Sequence, residues 1–103
     1  MENREIKFRA WIKAQERFAK DGFTIDYAIQ DSDYILMQYI GLKDKNGVKI
    51  YEGDVMDNDG LMVEVAFVGG AFCKCNDVGQ WLIIDPDECK VIGNIYENPE
   101  LLK

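Results

Sequence analysis

Tyr39-Ile40-Gly41-Leu42-Lys43-Asp44-Lys45-Asn46-Gly47-Val48-Lys49-Ile50-Tyr51 consists of two apolar-rich runs around a polar tip. Asn46-Gly47 is the pair favoured by a two-residue type I′ turn, in which both central residues take positive φ. The stretch therefore predicts a tight hairpin joining the preceding strand to Val48–Tyr51. Downstream, Glu52-Gly53-Asp54 reads as a turn feeding Val55-Met56, and Asp59-Gly60 as a turn feeding 61–68. Gly69-Gly70 then breaks the chain before 71–75 pairs back, 81–84 forms a short apolar strand, and 89–96 is the last strand. Asn98-Pro99-Glu100 supplies an N-cap, a proline at the first helical position and an acid at the positive end, which predicts one helical turn over 99–102.

Upstream, residues 34–42 form a third strand and 23–29 alternates Phe23, Ile25, Tyr27 and Ile29 as a strand would. Residues 14–20 have the composition of a helical turn or two, stopped at Asp21-Gly22. In 5–12, Ile6, Phe8, Ala10 and Ile12 share one face, and Lys7, Arg9 and Trp11 the other. Short strands separated by Gly and Asp turns predict a mainly β sandwich or small barrel. The acidic loop at 30–33 is the one candidate seam, dividing an N-terminal strand segment (1–33) from a barrel-like unit (34–103) within a single domain of 103 residues.

Charge is unevenly placed. Residues 1–20 hold six bases against three acids, a net +3, and the remainder holds six bases against sixteen acids, a net −10. A basic end and an acidic body attract each other within or between chains, whereas the acidic body repels nucleic-acid phosphates. The apolar fraction of 48% excludes disorder, and no apolar run is long enough for a membrane span or a secretory signal. With three cysteines and no histidine, reduced thiols in a cytoplasm are expected.

Candidate chemistry is sparse. Cys73-x-Cys75 with Cys89 has too short a spacer and no fourth ligand for structural zinc. Asp57-Asn58-Asp59-Gly60 lacks the first and last ligands of a calcium loop and reads as a hairpin turn. Ser32 has no imidazole to activate it, and Gly69-Gly70 lacks the lysine of a phosphate loop. No catalytic residue, metal or cofactor is expected. Arg4, Lys7 and Arg9 interleaved with Phe8 and Trp11 are the candidate interaction surface, since Lys7, Arg9 and Trp11 would form one basic aromatic stripe of the kind that binds single strands. Against that stands an edge strand guarded by charge.

Arg4-Glu-Ile-Lys-Phe-Arg-Ala-Trp11, Ile40-Gly-Leu-Lys-Asp-Lys-Asn-Gly-Val-Lys-Ile-Tyr-Glu-Gly-Asp-Val55 and Val91-Ile-Gly-Asn-Ile-Tyr-Glu-Asn-Pro-Glu-Leu101 resemble, in order, three blocks of the YopX family of phage and prophage proteins. The stretches 12–35 and 56–90 depart from it. The resemblance implies a phage-encoded cytoplasmic protein, mostly β, with a small SH3-like barrel in its second part. It carries no activity and no catalytic residues, and it implies homo-oligomeric assembly, even a large ring-like particle. Within the blocks, Gly41, Asn46, Gly47, Tyr51, Gly53, Asp54, Gly93, Asn94 and Tyr96 sit at or beside turns and have a physical reading as scaffold. The leading expectation is a non-enzymatic accessory protein that self-assembles and contacts an unidentified phage or host protein, with Trp11 and Phe8 in the contact between subunits. The alternative is a regulator that binds or mimics nucleic acid.

Overall fold

The structure, a computed structural model, describes residues 5–20, 23–83 and 86–102. It is mainly β. The chain runs through β1 (Phe8–Ile12), β2 (Arg17–Phe18), a short helix α1 (Ile25–Gln30), β3 (Tyr34–Lys43), β4 (Lys49–Tyr51), β5 (Asp54–Asn58), β6 (Leu61–Val68), β7 (Ala71–Cys75), β8 (Gln80–Leu82) and β9 (Cys89–Asn94). Single 3₁₀ turns cover Lys13–Gln15, Pro86–Glu88 and Pro99–Leu102. Two antiparallel sheets result, in the orders β2-β1-β3-β4 and β8-β7-β6-β5-β9. No helix among the described residues is long and apolar enough to cross a membrane.

The 30–33 loop is not a seam. β3 pairs with β1 from Phe8↔Gln38 to Ile12↔Tyr34, so the two sides of that loop share a sheet. The change of sheet comes instead at Glu52-Gly53, between β4 and β5. There the Gly53 N–H donates to the Val65 carbonyl at 2.8 Å, and the Gly53 carbonyl accepts from the Ile95 N–H at 2.8 Å.

The hairpin at 39–51 forms, with different turn chemistry. The Asp44 N–H donates to the Val48 carbonyl (2.8 Å) and the Gly47 N–H to the Asp44 carbonyl (3.0 Å). Gly47 takes φ +79° while Asn46 stays at negative φ, so a type I turn is followed by one left-handed glycine. Asp at the first position and Gly at the fourth are the type I signature, and the Asp44 side chain decides the outcome. Its Oδ1 accepts from the N–H groups of Asn46 (2.8 Å) and Val48 (2.9 Å). The primed geometry occurs at Asp59-Gly60, where both residues have positive φ. A Cβ on Gly47 would meet nothing within 4 Å, so a substitution there suffers backbone strain alone. Gly47→Val is expected to cost roughly 1–2 kcal/mol, read as a lower urea midpoint at unchanged slope.

Two local readings are corrected. Residues 25–30 are helical rather than extended because Thr24 caps them, its hydroxyl accepting from the Tyr27 N–H at 3.2 Å, with Asp26 in the first turn. Residues 13–18 make a 3₁₀ turn and the short strand β2; Glu16 at φ +50° reverses the chain so that Phe18 pairs opposite Trp11. The C-terminal turn at Pro99–Leu102 forms as expected, but the Asn98 side-chain oxygen accepts from the Asn94 N–H at 3.3 Å, bonding back toward β9.

Ile50, Met56, Val63, Val65 and Cys89 form a fully buried cluster, with Ile40, Leu42, Ile83 and Val91 packed around it. β4 of the first sheet and β5, β6 and β9 of the second all contribute, so the core lies between the sheets.

Candidate functional site

The three blocks of sequence that carry the family resemblance lie far apart in the chain and converge in space. From β1, the Arg9 Nη2 donates to Asp54 Oδ1 at 2.6 Å and to the Glu52 carbonyl at 3.3 Å. Its guanidinium carbon lies 4.7 Å from the ring centroids of both Phe18 and Tyr51, a planar cation held between two aromatic faces. Asp54 is 2% exposed, and its Oδ2 accepts from the Tyr51 N–H at 2.8 Å. Burial pushes the Asp54 carboxyl up, against the opposing pull of Arg9 and of the Tyr51 N–H. One residue pair thus fastens β1 of the first sheet to the start of the second.

The first and last blocks meet at Trp11. Its indole packs edge-on against Phe18 (5.1 Å) and stacks on Tyr96 (5.8 Å). Asn94 lies opposite Asp54 in the β5–β9 ladder. It is buried, its Oδ1 accepting from the N–H groups of Tyr96 (3.0 Å) and Glu97 (2.8 Å) and its Nδ2 donating to Glu97 Oε1 (2.9 Å). At Gly93 a Cβ would run into the Asn98 side chain and come within 2.9 Å of Leu101 Cδ1, so only glycine lets the C-terminal turn close on β9. Asp44, an acid that sequence reading placed only in the hairpin tip, adds a second link between the sheets. Its Oδ2 accepts from the Val91 N–H of β9 at 2.8 Å. Burial acts to raise its carboxyl, but the N–H donors of Val91, Val48 and Asn46 outweigh that and hold it below the usual range.

This arrangement does scaffold chemistry. The buried Asp44, Asp54 and Asn94 side chains are taken up by backbone N–H groups and, at Asp54, by one guanidinium. Of the motif residues, Tyr51 sandwiches Arg9 and packs on Tyr39 at 5.7 Å, and Gly41 and Gly53 bend the backbone at positive φ. Asn46 and Gly47 stand exposed at the hairpin tip.

The proposed N-terminal stripe is not assembled on the surface. Arg4 lies outside the described residues, Lys7 is exposed, and Phe8 is half-buried. Arg9 is engaged with Asp54, and Trp11 is 5% exposed. Simple alternation along β1 misassigned them because both faces of that strand are covered: Ala10, Trp11 and Ile12 are all buried. Trp11 therefore belongs to the interior and not to a contact between subunits. Among the described residues no three of His, Cys, Asp and Glu are grouped to hold a metal. The Asp57 Oδ1 accepts from the Gly60 N–H at 2.7 Å, which closes that turn.

The second sheet keeps open surface. β8 stands at the end of the strand order, all three of its residues exposed, with Trp81 and Leu82 presenting apolar surface. Beside β6 and β7 runs a groove of about 500 Å³, bounded by the 76–78 loop and the C-terminal turn. Glu64 of β6 lines it, and burial raises the carboxyl of that side chain. Sequence reading missed Glu64, since an acid between Met62 and Ala66 on an alternating strand looks like an ordinary solvent-facing residue.

A family model described as YopX protein matches residues 9–103. Among solved structures, protein EF1440 from Enterococcus faecalis is similar at 27% identity over 98% of this chain and 100% of that one, with a TM-score of 0.72. Protein yopX from Bacillus subtilis has the same fold at 19% identity, covering 93% of this chain and 97% of that one, with a TM-score of 0.61. No curated protein matches the chain.

Proposed function

Since the chain belongs to the YopX protein family, we propose that it is a non-enzymatic accessory protein of phage or prophage, a β module that self-assembles in the bacterial cytoplasm and works through protein–protein contacts. The observation that carries this reading is the β8 edge. A strand at the end of a sheet offers a row of backbone N–H and C=O groups to any strand that approaches it, and proteins that stay apart guard such edges with lysine, proline or a covering loop. Gln80-Trp81-Leu82 carries no charge and no proline, Leu82 is 59% exposed, and Phe67 at the neighbouring β6–β7 tip is 55% exposed. The buried motif clasp supports the same reading from the other side, because Arg9, Asp44 and Asp54 of the motif blocks are taken up in holding the sheets together.

Light scattering on the eluting protein tests it. In dilute buffer the wild-type chain is expected at a multiple of its 11.8 kDa mass. Leu82→Lys, which places a charge on the edge without touching the core, is expected to give smaller species with an unchanged circular-dichroism spectrum. A wild-type monomer across micromolar concentrations contradicts the proposal.

A further inference from the structure

We propose that the groove between β6–β7 and the C-terminal turn is a binding site for a peptide segment carrying a lysine or arginine beside an aliphatic residue. The site is distinct from the β8 edge and does not depend on self-assembly. Leu61, Val78, Leu101 and Leu102 give it apolar surface, and its charge comes from Glu64 and Asp77. Among the described residues no lysine or arginine lines it. About 500 Å³ is within the range of ligand sites, and the groove lies open to solvent rather than forming a closed cavity. Glu64 also lines a second depression of about 200 Å³, where Tyr96, Phe67 and Glu52 lie, again without a basic residue among the described ones. Two depressions that share a lining residue suit an extended chain better than a compact small molecule.

Charge complementarity selects the occupant. Among the described residues the ion pairs are Arg9–Asp54 and Lys49–Glu5, so Glu64 has no cationic partner of its own. It sits half-buried between strands, opposite Cys75 in the β6–β7 register, with apolar side chains along the groove on either side. Glu52 is occupied, its Oε1 accepting from the Gln38 N–H at 2.9 Å. A carboxylate that has lost water and gained no counter-charge is stabilised by a cation delivered from outside, and the leucines beside it take the aliphatic part of the same segment. The overall charge of −7 steers basic segments toward the protein and disfavours acidic ones.

Fluorescence polarisation with the full chain and a labelled hexapeptide of alternating leucine and lysine tests this, with the same peptide carrying glutamate for lysine as control. Saturable binding of the lysine peptide is expected, weakened about tenfold or more in Glu64→Gln through loss of one charge-assisted contact. The glutamate peptide should not bind. Equal binding of the two peptides, or binding unchanged in Glu64→Gln, overturns the proposal, as does absence of binding at millimolar peptide. Amide shifts in the wild-type protein give an answer even if the variant folds poorly. The lysine peptide should move Cys75–Val78 and Leu101–Leu102. Shifts confined to other surfaces, or the same shifts from self-association without peptide, overturn it.

Discussion

Asp54→Ala is expected to remove about 3–5 kcal/mol of stability, a large share of what a domain of this size has. The loss has three parts in the structure. Arg9, already held between the Phe18 and Tyr51 rings, is left as a largely buried cation without its counter-charge. The Tyr51 N–H loses its acceptor, and the turn that carries the chain from the first sheet to the second loses its brace. Because removing one partner of a buried pair costs more than the pair itself contributes, the double replacement Arg9→Met with Asp54→Leu should recover part of the loss. Urea midpoints for Arg9→Met, Asp54→Leu and the double variant measure this. Strictly additive effects would show that the two residues act independently and that the clasp has been misread.

Asp44→Ala should cost about 3 kcal/mol or more at neutral pH. One carboxylate accepts three backbone N–H groups, from Asn46, Val48 and Val91, and hydrogen bonds to a charged group contribute roughly 1.5–3 kcal/mol each before the hairpin relaxes and water enters. The effect depends on pH with a definite sign. Asp44 is depressed in the folded protein, so its contribution is fully present above the ordinary carboxylate range and is lost as pH falls through the folded value. The gap between wild type and Asp44→Ala should therefore narrow in acid. Asp54 works the other way: its raised carboxyl binds a proton more tightly in the folded protein, which favours the fold at low pH and loses that advantage as pH rises through the folded value. A gap between wild type and Asp44→Ala that is equal at pH 7 and pH 3 would contradict the assignment to Asp44.

Sequence reading reached the mainly β class and most of the strands along the chain because Gly, Asp and Asn mark the reversals between short apolar runs. The 39–51 hairpin, the Gly69-Gly70 reversal and the turn after Asn98 were all legible in this way. The type of the 44–47 turn was misread as primed, because Asp at the first position and Gly at the fourth compete with Asn-Gly as a signal, and the buried acid wins. Helix α1 was harder to see: six residues cannot separate a period of two from one of 3.6, and only the Thr24 cap decides. The depth of Arg9 and Trp11 was not legible at all. Alternation reports one buried face, whereas β1 is covered on both: Ala10 and Ile12 are buried on one, and on the other Phe18 and Tyr96 surround Trp11 while Asp54 and Tyr51 hold Arg9. Those partners lie up to the far end of the chain. Such contacts exist only after the sheets have met.

Native-state hydrogen exchange at the Tyr51 and Val91 amides asks directly whether the motif residues hold the two sheets together. Both N–H groups donate to buried aspartate side chains, Tyr51 to Asp54 and Val91 to Asp44. If these carboxylates join the sheets, both amides should exchange only through global unfolding, with the same free energy as the Val63 and Val65 amides of the core strand β6. Exchange of Tyr51 and Val91 through low-energy local opening, while β6 stays protected, would show that the sheets hold together without them.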